Sequence, residues 1–217
     1  MKKLLVALGF TMAAMSAQAS TLSLAPPVSG PSSIHFTEAS SSCPDCGHDV
    51  ITGATDGLFG TLSIDSDASF VATFLGSEAG NTNFYVGNGL NVMSNKSSNV
   101  GDTFAFDVSA GAINFGFYDQ STGVSAANIG DNINKIAYIT NKYTTNEMTG
   151  ERTYDYNDAS GNPFAFLIGF NDSGSLDGDY DDYVVGVNAV PVPAALPLMA
   201  SALGLFGVSR RKSKKAA

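Results

Sequence analysis

Between Leu58 and Val187 apolar residues return at every second position, in short runs separated by Gly, Asn, Asp and Ser. In "TFAFDV" (103–108) this puts Phe104, Phe106 and Val108 on one face of an extended chain, and in "AINFGFY" (112–118) it does the same for Ile113, Phe115 and Phe117. A period of two is the side-chain repeat of a half-buried strand, and long stripes at the helical period of 3.6 are absent. "LFGTLSI" (58–64) and "SFVATFLG" (69–76) read as strands joined by Asp65-Ser66-Asp67, and Ser109-Ala110-Gly111 suggests a hairpin between 103–108 and 112–118. "KIAYIT" (135–140), "RTYDY" (152–156), "PFAFLIGF" (163–170) and "YVVGV" (183–187) continue the pattern. Phe164, Phe166, Ile168 and Phe170 share one face with Ala165 and Leu167 on the other, which predicts a strand covered on both sides. Many short strands with Gly and Asn turns predict an all-β chain whose body is a β-sandwich or jelly roll.

The two ends do not belong to that pattern. Lys2 and Lys3, the apolar stretch Leu4–Met15 and the small-residue site Ala17-Gln18-Ala19 stand in the order of a secretory signal peptide, with signal peptidase cutting before Ser20. The expected organisation is a signal peptide over 1–19, an irregular segment rich in Pro, Ser and Gly over 20–57, a β body over 58–189 and a sorting signal over 190–217. Setting aside Lys2, Lys3 and the five basic residues of the C-terminal tail takes the formal charge from −9 to −16, because the body keeps only Lys96, Lys135, Lys142 and Arg152 against 20 acidic residues. A body this acidic repels a phosphate backbone, which argues against a nucleic-acid partner.

Cys43-Pro44-Asp45-Cys46 is the single cysteine pair. In an exported chain the expected form is a disulfide closing a very small loop. A zinc site recruiting Cys43, Cys46, His48 and His35 is the alternative. The surroundings fit neither a thioredoxin-like site, since Ser40-Ser41-Ser42 precedes the pair, nor a c-type haem site, since Gly47 separates Cys46 from His48.

"FNDSGSLDGDYDDYVVGV" (170–187) concentrates Asp172, Asp177, Asp179, Asp181 and Asp182. Hard cations such as Ca²⁺ take six to eight oxygens from closely spaced carboxylates and carbonyls, so these five residues are a candidate calcium site. The loop is not an EF-hand: counted from Asp177, Asp182 stands where Gly is required and Asn188 where Glu is required. The other reading is a solvated acidic hairpin tip. Gly169, Phe170, Asn171, Asp172, Gly178, Asp179, Tyr180, Asp181, Asp182 and Tyr183 resemble the Asp-rich ending of some all-β domains of secreted bacterial proteins, which implies an extracellular β-domain with bound calcium as an option. No Gly-x-Ser-x-Gly, His-Glu-x-x-His or Walker loop occurs, and no catalytic residue is assigned. Glycoside hydrolysis, which needs only two suitably spaced carboxylates, is the one enzymatic alternative.

Val190–Val208 is a run of 19 residues without charge, long enough as a helix (roughly 28 Å) to cross a hydrocarbon core. Arg210, Arg211 and Lys212 open the basic stop that follows, and the positive-inside rule keeps it cytoplasmic. Val190-Pro191-Val192-Pro193-Ala194, the leucine-rich run after it and the Arg-Arg-Lys ending closely resemble the PEP-CTERM family of exosortase sorting signals, in the variant written Val-Pro-Leu-Pro-Ala. Val192 stands where the Pro-Glu-Pro form has Glu. The resemblance implies a Gram-negative host making exopolysaccharide, transient anchoring in the inner membrane, cleavage by an exosortase at or near Pro191–Pro193, and delivery to the cell surface or extracellular matrix. The functional expectation is a non-enzymatic adhesive or structural component of that matrix. The alternatives are a carbohydrate-binding or glycan-degrading domain acting on exopolysaccharide, and a permanently anchored periplasmic protein.

Overall fold

A computed structural model describes residues 20–38, 50–51, 53–130, 135–172 and 180–191. The described residues are all-β. Seven antiparallel strands build the largest sheet: β2 (Ser33–Glu38), β3 (Gly53–Leu58), β12 (Ile136–Ile139), β15 (Phe166–Phe170), β16 (Tyr183–Pro191), β5 (Ala68–Gly76) and β8 (Thr103–Val108), in that spatial order. A four-stranded sheet runs β11 (Ser125–Ala127), β10 (Phe115–Asp119), β6 (Asn83–Gly87), β7 (Leu90–Ser94). Three short strands, β1 (Leu22–Ala25), β4 (Thr61–Ile64) and β9 (Gly111–Ala112), form a third sheet, and β13 (Tyr143–Thr145) pairs with β14 (Arg152–Tyr154) as a separate hairpin. Ser20–Pro191 is one compact unit.

The apolar alternation explains the layering. One face of the large sheet presents Phe70, Ala72 and Phe74 from β5, Tyr183, Val185 and Val187 from β16, Ile168 and Phe170 from β15, and Ile136 and Tyr138 from β12. These pack in one cluster with Tyr85, Met93, Phe115, Phe117 and Ala126 of the four-stranded sheet and Leu62 and Ile64 of β4. Aromatic contacts cross the gap: Phe117 stacks on Phe170 with ring centres 5.1 Å apart, and Phe70 on Phe115 at 5.7 Å. The opposite face of the large sheet carries Ala137, Ile139, Leu167 and Val184, covered by Ile51, Phe59, Phe164 and Tyr180. The central strands are therefore buried on both faces, as a continuous apolar run requires.

Asn128 is the polar fastening of the main core. It is 1% exposed, and its amide donates to the carbonyls of Leu62 (2.8 Å) and Ile113 (2.7 Å) while accepting from the Leu62 N–H (2.7 Å) and the Tyr138 hydroxyl. Every hydrogen-bonding position of a buried group is thereby filled, which removes the cost of desolvating it.

Several expectations are corrected. β8 and the 112–118 run carry the predicted faces, with Phe104, Phe106 and Val108 packed against the core and Ile113, Phe115 and Phe117 inside it. They do not form a hairpin: β8 pairs with β5, and the chain after it pairs as β9 with β4 and as β10 with β6. The strands on either side of Asp65-Ser66-Asp67 likewise enter different sheets. Residues 20–57, expected to be irregular, contribute β1, β2 and β3, whose few apolar residues are dispersed among turn formers. Phe164 does not share the face of Phe166, Ile168 and Phe170. The chain bends at Ala165, whose N–H reaches the Val187 carbonyl at 3.0 Å, and Phe164 packs in the opposite cluster over Gly186.

Candidate functional site

At one end of the two main sheets, five strand termini meet. β6 begins at Asn83, directly across the ladder from Asp119, where β10 ends. β15 ends at Phe170, followed by Asn171 and Asp172, and Asp181 and Asp182 lead into Tyr183 of β16. β5 ends at Gly76, followed by Ser77. Strand ends expose main-chain groups, and here side-chain amides and carboxylates fill them.

Asn83 Nδ2 donates to Asp172 Oδ2 at 2.7 Å and to the Asp182 carbonyl at 3.3 Å. Asn81 Nδ2 is shared between Asp119 Oδ2 (3.2 Å) and Asp172 Oδ2 (3.4 Å). The Asp172 N–H donates to Asp182 Oδ2 at 2.7 Å, and the Ser77 hydroxyl donates to the Asp182 carbonyl. Asn95 ties in behind, donating to Ser77 Oγ at 3.0 Å and to the Asn81 carbonyl at 2.9 Å. Asp119 also accepts from the Ser121 N–H at 2.7 Å and from the Thr122 hydroxyl. The amides of Asn81 and Asn83, which belong to the four-stranded side, thus hold carboxylate and carbonyl oxygens of the large sheet.

The site is acidic and dry. Asn83 and Asp119 are 0% exposed and Asp172 is 6% exposed. Among the described residues neither Asp119 nor Asp172 forms an ion pair; the nearby Lys96 ammonium donates instead to the Ala79 carbonyl at 3.1 Å. Sharing one donor brings an oxygen of each carboxylate within 3.4 Å of the same nitrogen. Asn83 Oδ1 is buried with no hydrogen-bond partner. Burial holds the phenols of Tyr85 and Tyr183, beside this end of the core, well above the ordinary value of 10.0.

Of the five aspartates predicted as a calcium site, Asp172 and Asp182 are joined to this cluster, Asp181 is buried beside it with its carbonyl accepting from the Glu78 N–H at 3.1 Å, and Asp177 and Asp179 lie outside the described residues. No group of three or more His, Cys, Asp or Glu side chains placed to hold a metal occurs among the described residues. Asn81, Asn83 and Asp119 were not singled out by sequence reasoning, because they stand 91, 89 and 53 or so positions from the acid run. The only local cue was the Asn-x-Asn before a strand.

The other predicted residues are placed as follows. His35 lies on β2, exposed, with Nδ1 2.7 Å from Asp56 Oδ1; Cys43, Cys46 and His48 lie outside the described residues. Ser20 is the first described residue, and Ala17 and Ala19 lie outside. Val190 and Pro191 are the last two residues of β16, opposite Ser69 and Ala68 of β5; Val192, Pro193, Ala194, Arg210, Arg211 and Lys212 lie outside. No helix among the described residues is long and apolar enough to cross a membrane.

On the outer face of the large sheet a groove of ≈ 410 Å³ runs between Val71, Thr73, Thr103, Asn188 and Val190 and the 157–160 turn. Its one carboxylate, Asp158, is committed to that turn. Chiefly the Asn162 N–H, and then the Asn162 side chain, hold it below the ordinary carboxylate value. No family model, curated protein or solved structure matches the chain.

Proposed function

We propose that the chain is a secreted, exosortase-processed component of the bacterial surface or extracellular matrix, with a β-sandwich body serving an adhesive or structural role. The observation that carries this reading is the run Val190-Pro191-Val192-Pro193-Ala194, followed by an uncharged apolar stretch and Arg210-Arg211-Lys212. It is supported by the end of β16, which runs into the motif with no intervening linker: Pro191 is both the last strand residue and the first proline of the signal. Exosortase and signal peptidase are the processing partners, exopolysaccharide the surrounding polymer, and the inner membrane a transient station.

Terminal mapping of the surface or released protein by mass spectrometry, in the host and in a strain lacking its exosortase, tests the reading. The expected mature protein begins at Ser20 and ends at or near Pro191–Pro193, and its end shifts only when the exosortase is present. A surface form that still contains Leu198–Ala217 in both strains means permanent anchoring and overturns it. The groove on the outer face favours carbohydrate binding as the second reading. Glycan-array binding without release of reducing sugar would place that activity on a binding module, and hydrolysis lost on a single Asp or Glu substitution would make it an enzyme.

A further inference from the structure

The strand-end cluster carries more charge than its hydrogen bonds account for. Asp119 and Asp172 come from opposite sheets, are buried, and share the single amide nitrogen of Asn81 at 3.2 and 3.4 Å. The side-chain nitrogens that reach these oxygens among the described residues are the neutral amides of Asn81 and Asn83. A buried carboxylate is normally paired or bound to a metal, and neither of these has a cationic side chain. Asn83 supplies an independent sign. Its side chain is 0% exposed, and its Oδ1 has no donor, although it is fixed one amide width from the nitrogen that holds Asp172. An unmet amide oxygen beside two buried carboxylates points to a cation, because leaving it unmet costs the full desolvation of the group.

We propose that Asp119, Asp172 and Asn83 form a Ca²⁺ site that joins the two main sheets, with Asn81 and the Asp182 carbonyl beside it. A hard divalent cation of this size accepts carboxylate, amide and main-chain oxygens in flexible geometry. Two carboxylates, a low ligand charge, suit a site of modest affinity. The site differs from an acidic loop that wraps an ion by itself, because Asp119 and Asn83 reach it from the other sheet. The inference stands on the geometry alone and is independent of how the chain is sorted.

The test uses the full chain, stripped of metal with a chelator and titrated with Ca²⁺ alone by calorimetry. One ion per chain is expected at this site, with Kd in the range of about 0.1–1 mM. Asp119→Asn and Asp172→Asn should each weaken binding by about tenfold or more, while Asp67→Asn, an exposed aspartate elsewhere, leaves it unchanged. Hydrogen exchange of the unmutated chain keeps the proposal open to refutation if a variant does not fold. Ca²⁺ should slow exchange together at 81–83, 119–122 and 172. No heat, binding untouched by Asp119→Asn, or protection confined to the neighbourhood of 180–182 would each overturn it.

Discussion

At the scale of single residues, buried polar groups decide the most with the fewest atoms. Asn128 meets four groups at once, and replacing it with Leu strips its bonds from the Leu62 N–H and the Tyr138 hydroxyl, while the Leu62 and Ile113 carbonyls keep one main-chain donor each, the Ile113 N–H (3.1 Å) and the Phe115 N–H (3.2 Å). Each buried group left unmet costs about 1–3 kcal/mol. Asn128→Leu should therefore destabilise the protein by about 2 kcal/mol or more, read as a lower denaturant midpoint with the slope unchanged. Asn128→Asp should be no milder, because it turns a carboxylate oxygen toward the two carbonyl oxygens that the amide nitrogen now contacts. None of this was legible beforehand. An Asn between Ala127 and Ile129 looks like a turn residue, and only the fold brings Leu62, 66 positions away, against it. The same holds for the acidic cluster. Asp172 and Asp182 stood out by composition, but their partners Asn81, Asn83 and Asp119 arrive from distant strands.

At the scale of elements, the alternation of side chains was legible and the pairing was not. Phe104, Phe106 and Val108 announce a strand with one buried face, because burial on one side imposes polarity on the other. Which strand lies beside it is a non-local choice: a short link after Val108 invited a hairpin, yet β8 sits next to β5. The one two-residue hairpin that could have been read is β6–β7, where Asn88 and Gly89 both adopt positive φ (51° and 79°), the usual chemistry of a tight turn that follows the twist of its strands. Gly186 shows how one element admits another. A Cβ there would lie 2.5 Å from the Phe164 ring, so β16 has a glycine where that ring crosses it. Gly186→Ala should cost about 1–3 kcal/mol by overpacking. Phe164→Leu in the same chain should recover part of that loss, and a double-mutant cycle of thermal or denaturant unfolding measures the coupling.

At the scale of the molecule, the facing sheets are joined by aromatic rings, three of them buried tyrosines. Tyr85 belongs to the four-stranded sheet, and Tyr138 and Tyr183 to the large one; burial raises all three phenols above the ordinary value of 10.0. The direction fixes the pH response. In the unfolded chain these phenols lose their protons near pH 10, whereas in the folded protein they keep them, so folding binds protons in that range and stability falls as pH rises above 10. Below pH 10 their contribution is complete. Absorbance of tyrosinate followed alongside circular dichroism should show these three ionising together with loss of structure; their ionisation in an intact fold would contradict the packing described.

β16 adds a matter of timing. It is the last of the described strands in the chain, yet it lies inside the large sheet, between β15 and β5, and contributes to both apolar clusters. A polypeptide threaded outward from its N-terminus delivers Tyr183–Pro191 after every other described strand. Until then β5 and β15 have no neighbour to pair with across the gap, and neither cluster can close. The sheet is thus a lock whose final pin is the segment nearest the proposed sorting signal. On the export route proposed above, the large sheet can close only after that last stretch has crossed.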